Sequence, residues 1–241
     1  MLTPPKTKKE LVKRVTALIG TEEWIEIPPT TKGGTGAVGN FLQDLLGANG
    51  SNKAIPDATG VEMKFHSGGN LLTLLHHDPE GGVESIRPML EKYGLKRPYG
   101  LSFRHTVTDT SPHLRVARSG GNIFIRPKDG VGPSVYWTEN DFLGKATTKL
   151  SDVILVQGKT KKEGDKRLVR FDSAINLTEF KTADFLNAVG GKYVLIEFGA
   201  REQLPETSAL RNRGTKLRMK LCDLNEIWGS CKPLVPDKAK K

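Results

Sequence analysis

Apolar residues recur along this chain with two different periods, which predict helices interleaved with strands. In the first helix, predicted at about 7–19, the apolar positions are Leu11, Val12, Val15, Leu18 and Ile19. They recur at helical spacing, and Gly20 ends the pattern. A second short helix is predicted at 38–46, after a glycine-rich loop at 33–36. Two more are predicted at 85–93 and 179–189.

Short apolar or alternating segments predict the strands. They lie at 24–27, 61–66, 71–77, 114–117, 122–126, 134–137, 152–156, 168–171, 193–198 and 215–221. We interpret residues 95–175 as strands and turns, and 199–214 as a long polar loop. Helices interleaved with strands, without a dividing linker, predict one mixed α/β domain over residues 1–241.

Composition and charge narrow the class of protein. The chain has 241 residues, with 37 Lys and Arg against 27 Asp and Glu, so its formal charge is +10. No window approaches 18 apolar residues, and the N-terminus has no apolar signal region, so we expect a cytoplasmic protein without a membrane span. The two cysteines, Cys222 and Cys231, are too few for a disulfide scaffold. The positive surplus favours a polyanionic partner, above all nucleic acid.

The strand predicted at 61–66 carries candidate catalytic side chains. Its apolar residues alternate with Glu62, Lys64 and His66, so these three are expected on the polar face. Glu62 and Lys64 are then about 6.6 Å apart along the strand. Asp57 lies five residues before Glu62, and Gly60 lets the chain bend between the two acids.

Two carboxylates that converge at the end of a strand can hold Mg²⁺, which prefers oxygen ligands. Asp57 and Glu62 are therefore the predicted metal ligands, with the carbonyl of Met63 as a third. Lys64 would orient the attacking water and stabilise the developing negative charge. The alternative is an ordinary surface strand that carries a Glu/Lys pair.

The segment Pro56–Lys64 is similar to the PD-(D/E)xK nuclease signature. The order of segments around it resembles the MvaI/BcnI family of type II restriction endonucleases, which are relatives of the MutH nicking enzyme. The resembling segments are 36–46, 56–64, 71–76, 134–137 and 213–218, within a span of about 33–228.

This resemblance implies a restriction-endonuclease-like fold and a metal-dependent nuclease that cuts duplex DNA at a short site, often as a monomer. It implies Mg²⁺ as cofactor, with Mn²⁺ as a substitute, and a DNA methyltransferase as functional partner. Asp57, Glu62 and Lys64 fall on its catalytic positions. Two lobes are compatible with it, a catalytic lobe at about 1–175 and a DNA-recognition lobe at about 176–232, before a short basic tail at 233–241.

The chain departs from the family pattern at three positions. Gln43 replaces a glutamate on the helix before the active site; its amide can still orient a metal-bound water, with one negative charge fewer. Arg211 stands where relatives have a histidine, and Glu197 replaces residues that relatives use for base contacts. The relatives' recognition sequences are therefore not transferred to this chain.

Several residues are predicted to contact DNA. The basic residues of 215–221 share one strand face with an apolar face behind it, which suits a surface that lies against a duplex. The helix N-terminus after the glycine loop can accept a DNA phosphate. A dinucleotide site there is disfavoured because Pro28 and Pro29 interrupt the strand that it needs. The predicted DNA-binding residues are Arg201, Arg211, Arg213, Lys216, Arg218, Thr35 and Gly36, and the resemblance to the family implies His76 as a further one.

Two alternative functions stay open at this point. One is a MutH-like repair nuclease that nicks a single strand. The other is a nuclease-like DNA-binding protein without catalysis, which the Gln43 replacement keeps open.

Overall fold

The structure is a computed structural model that describes residues 3–29, 31, 36–48, 60–69, 71–98, 100–203, 207–212 and 214–235. At 203 and 207–212 the description covers the backbone alone. Within these residues the α-helices are α1 (Lys8–Gly20), α2 (Ala37–Leu46), α3 (Ile86–Tyr93), α4 (Glu139–Leu150) and α5 (Thr182–Ala188). Short 3₁₀ helices span Val83–Ser85 and Leu221–Glu226.

The strands are named in chain order. They are β1 (Ile25–Glu26), β2 (Glu62–His66), β3 (Leu72–His76), β4 (Leu95–Arg97), β5 (Gly100–Val107), β6 (Leu114–Ser119), β7 (Asn122–Pro127), β8 (Val135–Thr138), β9 (Val153–Glu163), β10 (Lys166–Phe180), β11 (Leu195–Gln203), β12 (Thr207–Asn212), β13 (Lys216–Met219) and β14 (Trp228–Val235). The predicted mixed α/β class is confirmed.

The chain folds into two compact units, each built from separate segments. Unit 1 takes its described residues from 1–70, 147–180 and 228–241, and unit 2 from 71–146 and 181–227. The chain passes between the two units after residues 70, 146, 180 and 227. The catalytic lobe predicted at about 1–175 and the DNA-recognition lobe predicted at about 176–232 stay predictions.

Unit 1 is a five-stranded sheet with α1 and α2 packed on it. The strand order is β1-β10-β9-β2, and β14 also pairs with β10. Strand β2 runs parallel to β9, whereas the β9/β10 pair is antiparallel. The core is formed by Leu11 of α1, Leu42 of α2 and Met63 of β2, together with side chains of β9 and β10.

The sequence around α1 and α2 explains why both helices form where they were predicted. Thr7 caps the N-terminus of α1, where its hydroxyl accepts a hydrogen bond from the Glu10 amide at 3.2 Å. Gly47 ends α2 in a left-handed conformation, with φ of 67°, which glycine adopts without a steric penalty.

Unit 2 contains a six-stranded and a three-stranded antiparallel sheet. The larger has the order β3-β13-β11-β5-β4, with β12 paired to β11. The smaller has the order β6-β7-β8. Trp137, Phe142, Phe185 and Phe198 are fully buried in this unit.

Three parts of the sequence-based prediction of elements are wrong. Helix α4 lies inside the region interpreted as strands and turns, although Phe142, Ala146 and Leu150 recur at helical spacing and are buried. Strand β10 continues to Phe180, so the last helix begins at Thr182 instead of 179. Much of the polar loop expected at 199–214 belongs to strands β11 and β12, whose backbones hydrogen-bond to each other.

No helix among the described residues is long and apolar enough to cross a membrane.

Candidate active site

Glu62 and Lys64 lie on the polar face of β2, as the alternating pattern predicted. On the opposite face, Val61 and Met63 are buried in the core of unit 1. Parallel pairing with β9 aligns Glu62 with Val153 and Lys64 with Leu155. Pairing with β9, which lies inside the sheet between β10 and β2, and packing against the core therefore fix the backbone beneath both candidate catalytic residues.

The two side chains contact each other directly. The Nζ atom of Lys64 lies 3.0 Å from Oε1 of Glu62 and donates a hydrogen bond to it. The side chains are only 10% and 12% exposed, so this ion pair is shielded from water far more than an ordinary surface pair. Shielding strengthens the interaction between the charges and confines the lysine to one position.

Lys149 is a second lysine at Glu62, and the sequence analysis missed it. Its Nζ lies 2.8 Å from Oε2 of Glu62, and its side chain is 14% exposed. It stands in the last turn of α4. The helical spacing of Phe142, Ala146 and Leu150 could have revealed the helix, although it could not have revealed the contact with Glu62.

A hard divalent cation such as Mg²⁺ would bind oxygen donors at this site. Glu62 supplies a carboxylate whose two oxygens already contact cationic groups. The side chain of Met63 is buried, so this residue could contribute only its carbonyl oxygen. No cluster of three His, Cys, Asp or Glu residues occurs in the part of the chain that the structure describes. Asp57, the other predicted ligand, lies outside the described residues, so its role stays a prediction.

His66 was predicted on the polar face of β2, but its side chain is buried and contacts the backbone. It is 9% exposed, and its Nε2 lies 3.0 Å from the carbonyl oxygen of Gly69. Gln43 is half-buried on α2. Its predicted role at the metal site stays a prediction.

The polar face of the larger sheet in unit 2 brings several predicted DNA-binding residues together. Strand register places His76 opposite Lys216 and Lys216 opposite Glu197. Arg218 lies two residues beyond Lys216, on the same face, and Arg104 of β5 joins this face from the other side of β11. We call these five residues the basic sheet face. Leu217 and Met219 point to the opposite side and are fully buried.

Glu197 is the acidic centre of the basic sheet face. Its Oε2 lies 2.7 Å from a terminal guanidinium nitrogen of Arg104 and 2.7 Å from one of Arg218, and its Oε1 lies 3.4 Å from Nζ of Lys216. Burial by itself would raise the pKa of Glu197. The hydrogen bonds and charges of Arg104 and Arg218 outweigh this and hold the pKa below its ordinary value. Glu197 is therefore ionised at neutral pH, and the cluster carries a net positive charge.

The other predicted DNA-binding residues are placed differently. Arg201 is half-buried on β11, opposite Arg211 on β12, whose backbone alone is described. Gly36 is the N-cap residue of α2. Thr35 and Arg213 lie outside the described residues. DNA contact by each of these residues stays a prediction.

Comparison with known proteins identifies the family. The model of the MvaI/BcnI restriction endonuclease family matches residues 16–228. A restriction endonuclease MvaI–cognate DNA substrate complex aligns with a TM-score of 0.74 and 20% identity, over 94% of this chain and 98% of that chain. MvaI in the absence of DNA aligns with a TM-score of 0.50 and 18% identity, over 98% and 100% of the two chains.

No curated protein matches the chain significantly. At 20% identity the structural similarity establishes the fold, whereas the family match extends over most of the sequence. The resemblance found from the motifs is thus confirmed. The chain belongs to the MvaI/BcnI restriction endonuclease family.

Proposed function

We propose that this protein is a Mg²⁺-dependent type II restriction endonuclease that hydrolyses phosphodiester bonds in double-stranded DNA at a short specific sequence. The observation that carries the proposal is the shielded contact of 3.0 Å between Lys64 and Glu62. Both residues lie within 16–228, the part of the chain that matches the family, which also contains Asp57 and the remaining candidate residues. Mn²⁺ is proposed to substitute for Mg²⁺.

The chemistry assigned to Glu62 and Lys64 follows from their positions. A divalent ion held by Asp57, Glu62 and the Met63 carbonyl would offset charge on the phosphate and acidify a bound water. The Lys64 ammonium, fixed beside Glu62, can hold a water for attack and stabilise negative charge on the phosphate oxygens. Gln43 is proposed to donate an amide hydrogen bond that orients the same water.

Lys149 adds a positioning role to this proposal. Its contact with Glu62 Oε2 leaves the carboxylate held from both sides, by Lys64 at one oxygen and Lys149 at the other. A carboxylate held in this way is pre-oriented before metal and substrate arrive, which lowers the cost of ordering it during the reaction. Lys149 thus acts through Glu62.

Double-stranded DNA is the proposed substrate because the charge distribution suits it. Lys216 and Arg218 lie on the basic sheet face, backed by buried residues that make the surface rigid. Cationic side chains supply affinity for phosphates, and arginines can also read base edges. His76, Arg201, Arg211, Arg213, Thr35 and Gly36 are proposed as further contacts to DNA.

A plasmid assay tests this function and separates it from the two alternatives. Purified protein is incubated with supercoiled plasmid in two parallel reactions, one with Mg²⁺ and one with EDTA in place of the metal. Discrete fragments that require the metal support restriction. Nicked circles would support a MutH-like enzyme. An uncut plasmid that is retarded in a gel would support a DNA-binding protein without catalysis.

A matched pair of lysine variants assigns the cleavage to the proposed site. Lys64→Ala should abolish cleavage and leave DNA binding largely intact. Lys166→Ala removes an exposed lysine of the same unit, whose pair with Glu26 is 64% and 45% exposed. It should cut at nearly the wild-type rate. Retained cutting by Lys64→Ala would contradict the role of Lys64.

Two further parts of the proposal concern partners. A cognate DNA methyltransferase is expected to protect the recognition sequence in cells that carry this nuclease. Genomic DNA from such cells should therefore resist digestion, and the same sequence amplified in vitro should be cut. We propose that the protein acts as a monomer, which light scattering of the purified protein tests at the concentrations used for cleavage.

A further inference from the structure

Arg104 and Glu197 belong to a charged cluster that the catalytic proposal does not use. Arg104 was not among the residues predicted to bind DNA from the sequence. It lies on β5, whereas Glu197 and Arg218 come from the neighbouring strands β11 and β13. Three strands of one sheet therefore contribute to this cluster, which rests on a fully buried apolar layer.

One carboxylate oxygen holds both arginines. Oε2 of Glu197 lies 2.7 Å from Nη2 of Arg104 and 2.7 Å from Nη1 of Arg218. The second terminal nitrogen of Arg218 donates to the carbonyl oxygen of Leu71 at 3.3 Å. Charge-assisted contacts of this length hold a guanidinium nitrogen at its partner, and contacts at both terminal nitrogens also restrict the plane of the group. The two guanidinium groups are therefore side by side before any ligand arrives, with Arg218 held at both terminal nitrogens and Arg104 at one.

The strand register explains how Arg104 reaches Glu197. Arg104 lies directly opposite Gly199 on β11, and Glu197 lies two residues from Gly199 on the same face. Since Gly199 has no side chain, the Arg104 side chain can cross the strand diagonally above it. This local geometry places the guanidinium beside the carboxylate.

Exposure separates the roles within the cluster. The side chain of Glu197 is 7% exposed, that of Arg218 is 24% exposed, and that of Arg104 is 54% exposed. Glu197 is thus too deeply buried to read a base by itself. Arg104 is held at one end, while more than half of its side chain faces solvent. A guanidinium carries five N–H donors, so the exposed part can serve a ligand.

The charge of the cluster favours a polyanion as that ligand. One carboxylate is surrounded by three cations, Arg104, Lys216 and Arg218. A single cation would neutralise Glu197. Each additional cation repels the others, and this repulsion disfavours the folded state. A ligand rich in negative charge and in hydrogen-bond acceptors removes this repulsion.

We propose that Glu197 is a positioning residue that holds Arg104 and Arg218 side by side, and that Arg104 contacts a base edge of duplex DNA. This inference rests on the proposed function. The acceptor pair that best matches a guanidinium is the N7/O6 edge of guanine in the major groove. Arg104 therefore contributes to sequence discrimination as well as to affinity.

The test compares sequence preference between variants. Wild type, Arg104→Ala and Glu197→Gln are each used to select duplexes from a randomised oligonucleotide pool with Ca²⁺ in place of Mg²⁺ to suppress cleavage. Affinities for the sequence selected by wild type and for a scrambled duplex are then measured by fluorescence anisotropy. Arg115→Ala is the matched control, because Arg115 is an exposed arginine of the same unit on β6.

We expect Arg104→Ala to lose about ten- to hundredfold affinity for the selected sequence, and little for the scrambled duplex. Its selected motif should be relaxed at one base pair, while Arg115→Ala should retain the wild-type motif. Glu197→Gln should relax the motif as well, and adding Arg104→Ala to it should cost less than it costs in wild type.

Three outcomes would overturn the inference. Equal losses on both duplexes would make Arg104 a phosphate contact. An unchanged motif, with a lower melting temperature, would make the cluster a structural ion network. A wild type that neither binds nor cuts any duplex would refute the proposed function and this inference with it. If Glu197→Gln fails to fold, Arg104→Ala still decides the question, because the Arg104 side chain is half-exposed.

Discussion

Replacing Lys149 by alanine removes one of two ammonium groups that contact Glu62 within the described part of the chain. The contact of 2.8 Å to Oε2 disappears, and the contact of 3.0 Å between Lys64 and Oε1 remains. Glu62 is 12% exposed, so water replaces the lost partner only in part. The carboxylate then has more rotational freedom and one neighbouring positive charge fewer.

The magnitude follows from these contacts. A hydrogen bond to a charged group contributes about 1.5–3 kcal/mol. If Lys149 holds Glu62 in its reactive orientation, the maximal cleavage rate should fall about ten- to hundredfold. The Mg²⁺ requirement should fall as well. Because the proposed divalent ion competes with the Lys149 ammonium for Glu62, removing the lysine should lower the Mg²⁺ concentration that gives half-maximal rate.

Single-turnover cleavage of supercoiled plasmid, measured across a series of Mg²⁺ concentrations, gives both quantities for wild type and Lys149→Ala. Lys8→Ala is the matched control, since it removes a part-buried lysine–carboxylate contact of 2.7 Å, to Asp152, in the same unit. The control should leave both quantities near the wild-type values.

An unchanged maximal rate would refute the positioning role of Lys149. A higher Mg²⁺ requirement would refute the competition between lysine and metal. If Lys8→Ala matched Lys149→Ala in both quantities, the effect would reflect general destabilisation of unit 1.

Other consequences of the structure can be measured separately. Glu62→Gln should abolish cleavage and keep DNA binding, as measured by plasmid digestion and anisotropy; residual cutting near the wild-type rate would exclude Glu62 as a ligand. The pKa of Glu197 is below the ordinary 4.5 because Arg104 and Arg218 outweigh the effect of burial. Wild type should therefore be more stable than Glu197→Gln above about pH 4.5, and this advantage should vanish as the pH falls through the lowered pKa. Urea unfolding at several pH values measures this, and a pH-independent difference would contradict it. Leu11→Ala, at a fully buried position, should cost about 2–5 kcal/mol of unfolding free energy; a loss below about 1 kcal/mol would show that α1 packs loosely.

Strand β2 shows how much a local pattern can predict. Residues 61–66 alternate, and this alone assigned Met63 to the core and placed Glu62 and Lys64 together on the other face. The structure confirms both placements. The helix predicted at about 7–19 was equally recognisable, because its apolar spacing and the glycine that ends it, Gly20, lie within one short segment.

Helix α4 shows where local reasoning failed. Its buried residues do recur at helical spacing. The segment follows Val135–Thr138, a β-strand, and was interpreted with it as strands and turns. Without α4 there was no reason to examine Lys149.

The class of fold and the family followed from the sequence by itself, through the order of elements and motifs along the chain. The common strand face of Glu62 and Lys64 followed from the alternation of residues 61–66. Only the tertiary structure decided that Lys149, 87 residues from Glu62, contacts the same carboxylate. It likewise decided that Arg104 and Arg218 share Glu197. The physical reason is that packing brings distant segments together, and no periodicity within a segment records which distant charge will lie against it.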